Sequence, residues 1–200
     1  MDEMIYVVSG YMRTGTSMMM NALTEAGMEP AFNAKRDEMN EKYGDENYQP
    51  NPAGFYELNR KEYKQKDFPL MYKGKLVKCL FGGLGRFPVA KYQIVFMMRN
   101  PEEIRQSFDA FFESIPITQR QQVTLFLQNY DEVMEDVIAH LKNRRDTHLI
   151  VLNYRDVVKN PLEKFEHLFR CGWPINPIKA AQSVDPKLCR FRIENLTIGI

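Results

Sequence analysis

At 200 residues and 23.5 kDa, the chain is large enough for one domain with a real core, since a chain of this size buries roughly 70% of its unfolded surface. Its 27 basic and 26 acidic residues leave a formal charge of +1, which excludes a general polyanion-binding surface for nucleic acid or an anionic membrane and makes any anion site a local cluster. Cys79, Cys171 and Cys189 lack metal-ligand spacing, the start MDEM is acidic, and no apolar run approaches the roughly 18 residues of a membrane span, so the expectation is a soluble cytoplasmic protein with reduced thiols.

In chain order, residues 4 to 8 predict a first strand and residues 16 to 27 a helix ended at Gly27. Between them lies Gly10-Tyr11-Met12-Arg13-Thr14-Gly15-Thr16-Ser17. The nucleotide-triphosphate pattern G-x-x-x-x-G-K-[ST] fits this loop except that Thr16 stands where the lysine belongs. The polar stretch 33–53 reads as a surface excursion, part of a broader lid over 28–66 on the same domain, followed by a charged helix near 59–66. "KLVKCL" (75–80) is a short strand that "GGLGRFP" breaks. "YQIVFMM" (92–98), apolar almost throughout, has the pattern of a strand buried on both faces of a parallel sheet. Asn100 and Pro101 then fit the N-cap and first position of a helix.

Residues 118–143 predict the longest helix, with Val123, Phe126, Tyr130, Val133, Val137 and Leu141 on one stripe. "HLIVLNY" (148–154) is another buried strand. A helix follows, with Asn160 as cap, Pro161 at the first position and Glu163 two residues later. The tail after Trp173 reads as short and irregular. Alternating strands and helices give an α/β fold, a three-layer phosphate-loop-like architecture with a central, mostly parallel sheet, in a single domain spanning 1–200.

Ligands of such sheets bind beyond the carboxyl ends of the strands. After the first strand, backbone N–H groups and a helix N-terminus make an anion cradle, and Arg13 adds a planar charged fork. After the strongest strand comes Arg99, with Ser107 two turns further on. A buried guanidinium needs an anion: either a ligand phosphate or a structural carboxylate such as Asp156. A nucleotide hydrolase places a magnesium-binding Asp at such a strand end, so the expectation is a phosphate site that uses no metal.

These segments resemble the sulfotransferase family, whose donor is PAPS (3′-phosphoadenosine 5′-phosphosulfate) and whose product is PAP. "YMRTGTSM" (11–18) is similar to that family's "YPKSGTTW" loop, "RNPEEIRQS" (99–107) to its "RNPxxxxxS" segment, and "YRDVVKNP" (154–161) to its "YEDL" segment with a following proline. The resemblance implies that Arg13, Thr14, Gly15, Thr16 and Ser17 hold the 5′-phosphosulfate, that Arg99 and Ser107 grip the 3′-phosphate, and that Tyr154 lies near the adenine. Arg13 stands where many members have a catalytic lysine, as in many bacterial relatives. Met12 and Met18 replace the family's Pro and Trp. The basic C-terminal segment of cytosolic members is not evident, and Arg190 and Arg192 are its nearest substitutes. The resemblance further implies a small-molecule or glycan acceptor bearing a hydroxyl or amine.

The acceptor needs a base. His140, His148 and His167 fall in poor places for one. Glu57, in "NPAGFYEL", is similar to an "NPxGFxE" segment of many sulfotransferase-like proteins, against a surface or capping role. Lys78 is a second contact for the transferred group, against the reading of a solvated lysine. Met18 to Met20 read as core. Two rivals share the loop: a phosphate-loop kinase for a nucleotide or small molecule, and a catalytically inactive anion-binding domain.

Overall fold

The computed structural model describes residues 4–32, 54, 56–58, 61–111 and 117–190, with the backbone alone at 111 and 117–120. Five strands form one sheet: β1 (Met4–Gly10), β2 (Pro30–Ala31), β3 (Leu76–Lys78), β4 (Lys91–Met98) and β5 (Thr147–Asn153). They lie in the order β2-β3-β1-β4-β5, every pair parallel. Of β4, Tyr92 to Met97 are all buried, as its unbroken apolar run requires.

The helices are α1 (Thr16–Glu25), α2 (Phe68–Tyr72), α3 (Phe81–Leu84), α4 (Pro101–Phe111), α5 (Ile117–Gln128), α6 (Tyr130–Lys142), α7 (Tyr154–Lys159), α8 (Pro161–Arg170) and α9 (Pro177–Gln182). They cover both faces. On one, Met19, Met20 and Leu23 of α1 and Phe165 and Leu168 of α8 join Trp173 over Tyr6, Val8, Val95 and Met97. On the other, Phe68, Leu84, Ile104, Tyr130 and Met134 meet Ile5, Val7, Ile94 and Phe96. This is the three-layer α/β fold that the alternation of elements predicts.

Gly27 ends α1 as expected: it takes φ 107, and the N–H of Met28 returns to the Leu23 carbonyl. Asn100 caps α4, its Oδ1 accepting from the N–H of Glu102 at 2.9 Å.

Several expectations need correction. The long helix 118–143 is two helices, broken at Asn129, whose backbone leaves helical values at φ −111, ψ 17; asparagine holds a helix poorly because its amide competes with the backbone. The stripe also omitted Met134, which is fully buried. The charged helix near 59–66 is a single 3-10 turn, Glu62–Lys64, leading into α2. "GGLGRFP" begins inside α3. Asn160 makes no side-chain cap of α8. The tail after Trp173 carries α9, capped by Asn176, and a 3-10 turn at Pro186–Leu188. β2 was not predicted as a strand. The polar stretch 33–53 lies outside the described residues. Among the described residues, no helix is long and apolar enough to cross a membrane.

Cys79 and Cys189 are buried and Cys171 is partly open. Burial pushes the Cys79 thiol up to about 12. A disulfide reagent at neutral pH should therefore label Cys171 first, with Cys79 and Cys189 reacting only on unfolding. Mass mapping of the labelled peptides checks this; fast labelling of Cys79 would contradict the packing of its sulfur against Gly83 of α3.

Candidate functional site

The chain leaves β1 toward β2 on one side and leaves β4 toward β5 on the other, so the carboxyl ends of β1 and β4 are the switch point of the sheet. The loop 11–15 sits there. Two of its residues, Arg13 at 65 and Gly15 at 92, have positive φ, as does Gly10 at 144, which ends β1. A Cβ on Gly10 would lie 2.5 Å from the Met97 carbonyl oxygen, and one on Gly15 would overlap the Tyr154 ring. Both glycines thus serve the packing of the loop onto its own floor.

Thr14 is buried, and its hydroxyl donates to the Tyr11 carbonyl at 2.7 Å, closing the turn. Tyr11 stacks on Phe126 with ring centroids 4.5 Å apart. Among the described residues, the backbone N–H groups of Gly15, Thr16 and Ser17 meet no protein acceptor. They point out of the start of α1, where the helix dipole favours an anion.

Two groups of side chains flank these N–H groups. On the β4 side, Arg13 Nε donates to Ser107 Oγ at 3.0 Å. Arg99 Nη1 donates to the Arg13 carbonyl at 3.1 Å, and its Nε to Glu103 Oε2 at 3.0 Å. The Arg99 guanidinium also lies over the Tyr154 ring, 4.4 Å from its centroid. Arg155 reaches the other Glu103 oxygen at 3.3 Å. Ser107, Arg99 and Glu103 are all buried.

On the β3 side, Lys78 Nζ donates to Ser17 Oγ at 2.9 Å and stands 4.0 Å from Glu57 Oε1. Glu57 is held there because its backbone bridges to Lys78 in parallel, extending the sheet locally. The Tyr63 hydroxyl fixes the Lys78 carbonyl at 2.8 Å.

The structure thus brings Arg13, Thr14, Gly15, Thr16, Ser17, Arg99, Ser107 and Tyr154 to one edge, with Glu57 and Lys78 beside them. Three particulars differ from the sequence reading. Arg99 pairs with Glu103, one helical turn on, and not with Asp156; the i,i+4 spacing from Arg99 into the capped helix was the signal that could have found it. Lys78 is not solvated, its side chain being 3% exposed. Tyr154 is buried under the loop, with one ring face covered by Arg99. Burial and the adjacent Cys189 push its phenol up to about 12, against the pull of Arg99 and Arg13. Arg190 is exposed and follows Cys189 directly, so the chain passes this edge before Arg192, which lies outside the described residues. His140 lines a separate, mostly apolar cavity of about 250 Å³ between α3 and α6, with Asp136 and Arg144. His167 sits on α8, 3.9 Å from Cys171.

Fold and site define an α/β protein with a phosphate-loop-like turn at the switch point of its sheet. No protein-family model matches the chain, and no curated protein matches it in sequence. Among solved structures it is similar to an unliganded sugar kinase from Janibacter sp. HTCC2649, at 16% identity and a TM-score of 0.43, covering 92% of this chain and 96% of that one. The kinase name agrees with a rival in the sequence reading, not with sulfuryl transfer, but a likeness at this level carries no argument about activity.

Proposed function

We propose that the chain is a PAPS-dependent sulfotransferase that moves a sulfuryl group, without a metal, to a hydroxyl or amine of a small-molecule or glycan acceptor. The observation that supports this best is the cationic frame of the cradle. Thr16 replaces the triphosphate-loop lysine, β4 ends in Arg99 and not in a metal-binding Asp, and the carboxylates at hand, Glu57 and Glu103, are each held by a cation. Such an edge suits an anion whose charge is met by protein groups.

In this reading the N–H groups of Gly15, Thr16 and Ser17 take the 5′-phosphosulfate, with Arg13 on one flank and Lys78 on the other. The acceptor oxygen attacks sulfur as the bond to the 5′-phosphate oxygen breaks, and PAP leaves with the electron pair. Arg13 and the loop N–H groups stabilise the charge that grows on the bridging oxygen. Glu57 takes the acceptor proton. Ser107 receives the 3′-phosphate, and Arg99 holds the loop from beneath through the Arg13 carbonyl. Arg190 and Arg192 are the outer candidates for the same phosphate. Tyr154 shapes the floor below the adenine.

Calorimetry with PAP, with and without a chelator, tests the donor assignment. PAP should bind equally well in both. It should also outbind AMP by at least about tenfold, because charge-assisted contacts to the 3′-phosphate contribute about 1.5–3 kcal/mol each. Magnesium-dependent binding of ATP with no binding of PAP would replace this reading with the kinase.

A further inference from the structure

The near-neutral charge of the whole chain conceals a local excess at the edge of the sheet opposite the loop 11–15. Between residues 61 and 91 stand eight lysines and arginines against two acids, Glu62 and Asp67. This stretch brackets the amino ends of the strands. The N–H of Gly74 donates to the Met4 carbonyl at 2.8 Å, and Met4 lies opposite Lys91 in the register of β1 and β4. α2 and the turn before β4 are neighbours there, because the Phe68 and Phe87 rings meet with centroids 5.2 Å apart. The length of β4, about 25 Å, separates this edge from the loop.

The packing of those rings sends other apolar side chains outward. α2 buries Phe68 and Tyr72, four residues apart on one face. Leu70 falls on the opposite face and is 81% exposed, with Met71 beside it at 46%. Phe87 anchors the turn inward, and Val89, two residues on, is 91% exposed. Leu70 and Val89 are the two most open large apolar side chains among the described residues. Lys64 and Lys66 lead into α2, Lys73 follows it and Arg86 precedes the turn, all exposed. Among the described residues, the three lysines pair with no carboxylate; the lysine ion pairs are those of Lys75, Lys78 and Lys164.

We propose that this amino edge docks on an anionic phospholipid membrane, with Leu70, Met71 and Val89 entering the interface and the lysines meeting the headgroups. Exposed apolar tips ringed by cations are the pattern of a peripheral membrane contact. Tips that stand this clear of the surface need a partner that deforms around them, as headgroups do; a folded protein must offer a matched pocket for each one. Lysine, a point charge on a long apolar stem, suits fluid headgroups better than a fixed carboxylate geometry. The contact is peripheral, since among the described residues no helix is long and apolar enough to cross a membrane. It leaves the loop 11–15 facing water, away from the bilayer, and it does not depend on which group the protein transfers.

Flotation of the full chain with vesicles of phosphatidylcholine alone, and of phosphatidylcholine with about 30% phosphatidylserine, tests this. The chain should bind the anionic vesicles at least about tenfold better than the neutral ones, and about 0.5 M salt should release it. Lys64→Glu, Lys66→Glu and Lys73→Glu together should weaken binding about a hundredfold, at roughly fivefold for each lysine. Leu70→Ser with Val89→Ser should weaken it about tenfold while urea unfolding stays that of the wild type, because both side chains already face water. Absence of a preference for anionic vesicles overturns the proposal. So does a Leu70→Ser, Val89→Ser variant that floats as the wild type does, since the lysines would then attract any polyanion without insertion. A dimer seen by sedimentation without vesicles, and lost in that variant, would assign the surface to a second copy of the chain instead.

Discussion

Arg99→Ala is expected to cost about 3 kcal/mol of folding stability, because it takes the nearer and buried cation from a buried carboxylate. Glu103 is 1% exposed and Arg99 7%. Removing the guanidinium leaves Glu103 with Arg155, whose side chain is 40% exposed and whose contact is the longer one, 3.3 Å against 3.0 Å. The same change removes the donor to the Arg13 carbonyl and the cation over Tyr154. The double variant Arg99→Met, Glu103→Leu should recover much of the loss, since an apolar pair of similar volume needs no desolvated charge. Urea unfolding of both variants checks this. Equal losses in the two would show that the Arg13 carbonyl and Tyr154, not the ion pair, dominate. For this reason Arg99→Ala cannot serve as a simple probe of the 3′-phosphate; Ser107→Ala, which deletes one hydroxyl and leaves the ion pair intact, is the cleaner one.

How much of this was legible in the chain depends on how local the cause is. β1 and β4 were readable because a strand buried on both faces is apolar at nearly every position, and Asn100-Pro101 and Gly27 mark helix ends by their own backbone preferences; β5 was found as a strand, but it lies at the sheet edge with only Ile150 and Leu152 buried, not the buried strand its apolar run predicts. β2 was not readable: two residues have no period, and Ala31 is a strand only because Val77 lies opposite it. The break at Asn129 interrupts a stripe that continues on both sides, so periodicity alone ran through it. The loop 10–17 and Arg99 were found from residue types, and the structure does bring them together. What those types could not give was the direction of each side chain. Lys78 reads as an ordinary strand lysine until Glu57 and Ser17 are seen to close over it. Gly15 reads as a ligand-facing glycine until the Tyr154 ring is found where its Cβ would be. Both contacts join residues far apart in the chain, and composition and spacing carry no record of them.

Arg13→Ala is expected to lower kcat by about 10²–10³-fold while changing PAP affinity much less. Arg13 already holds φ 65, and alanine carries the same Cβ, so the substitution adds no backbone strain. Its structural cost includes the bond to Ser107 Oγ, about 1 kcal/mol, and the Arg99 contact to the residue 13 carbonyl is kept. Circular dichroism and unfolding should therefore show a folded protein, which separates this variant from Arg99→Ala. The rate loss arises because the leaving 5′-phosphate oxygen gains charge as the sulfur bond breaks. A guanidinium beside it is worth more in that state than in the ground state. Ser107→Ala should reproduce only part of the loss, since Ser107 orients Arg13 and does not replace its charge. Arg13→Lys should fall between, keeping the charge and losing the planar fork. A parallel fall in PAP affinity and kcat for Arg13→Ala would make it a donor-binding residue only. In that case the developing charge would fall to Lys78, a cation on the opposite flank of the loop, and Lys78→Met should then carry the larger effect on kcat.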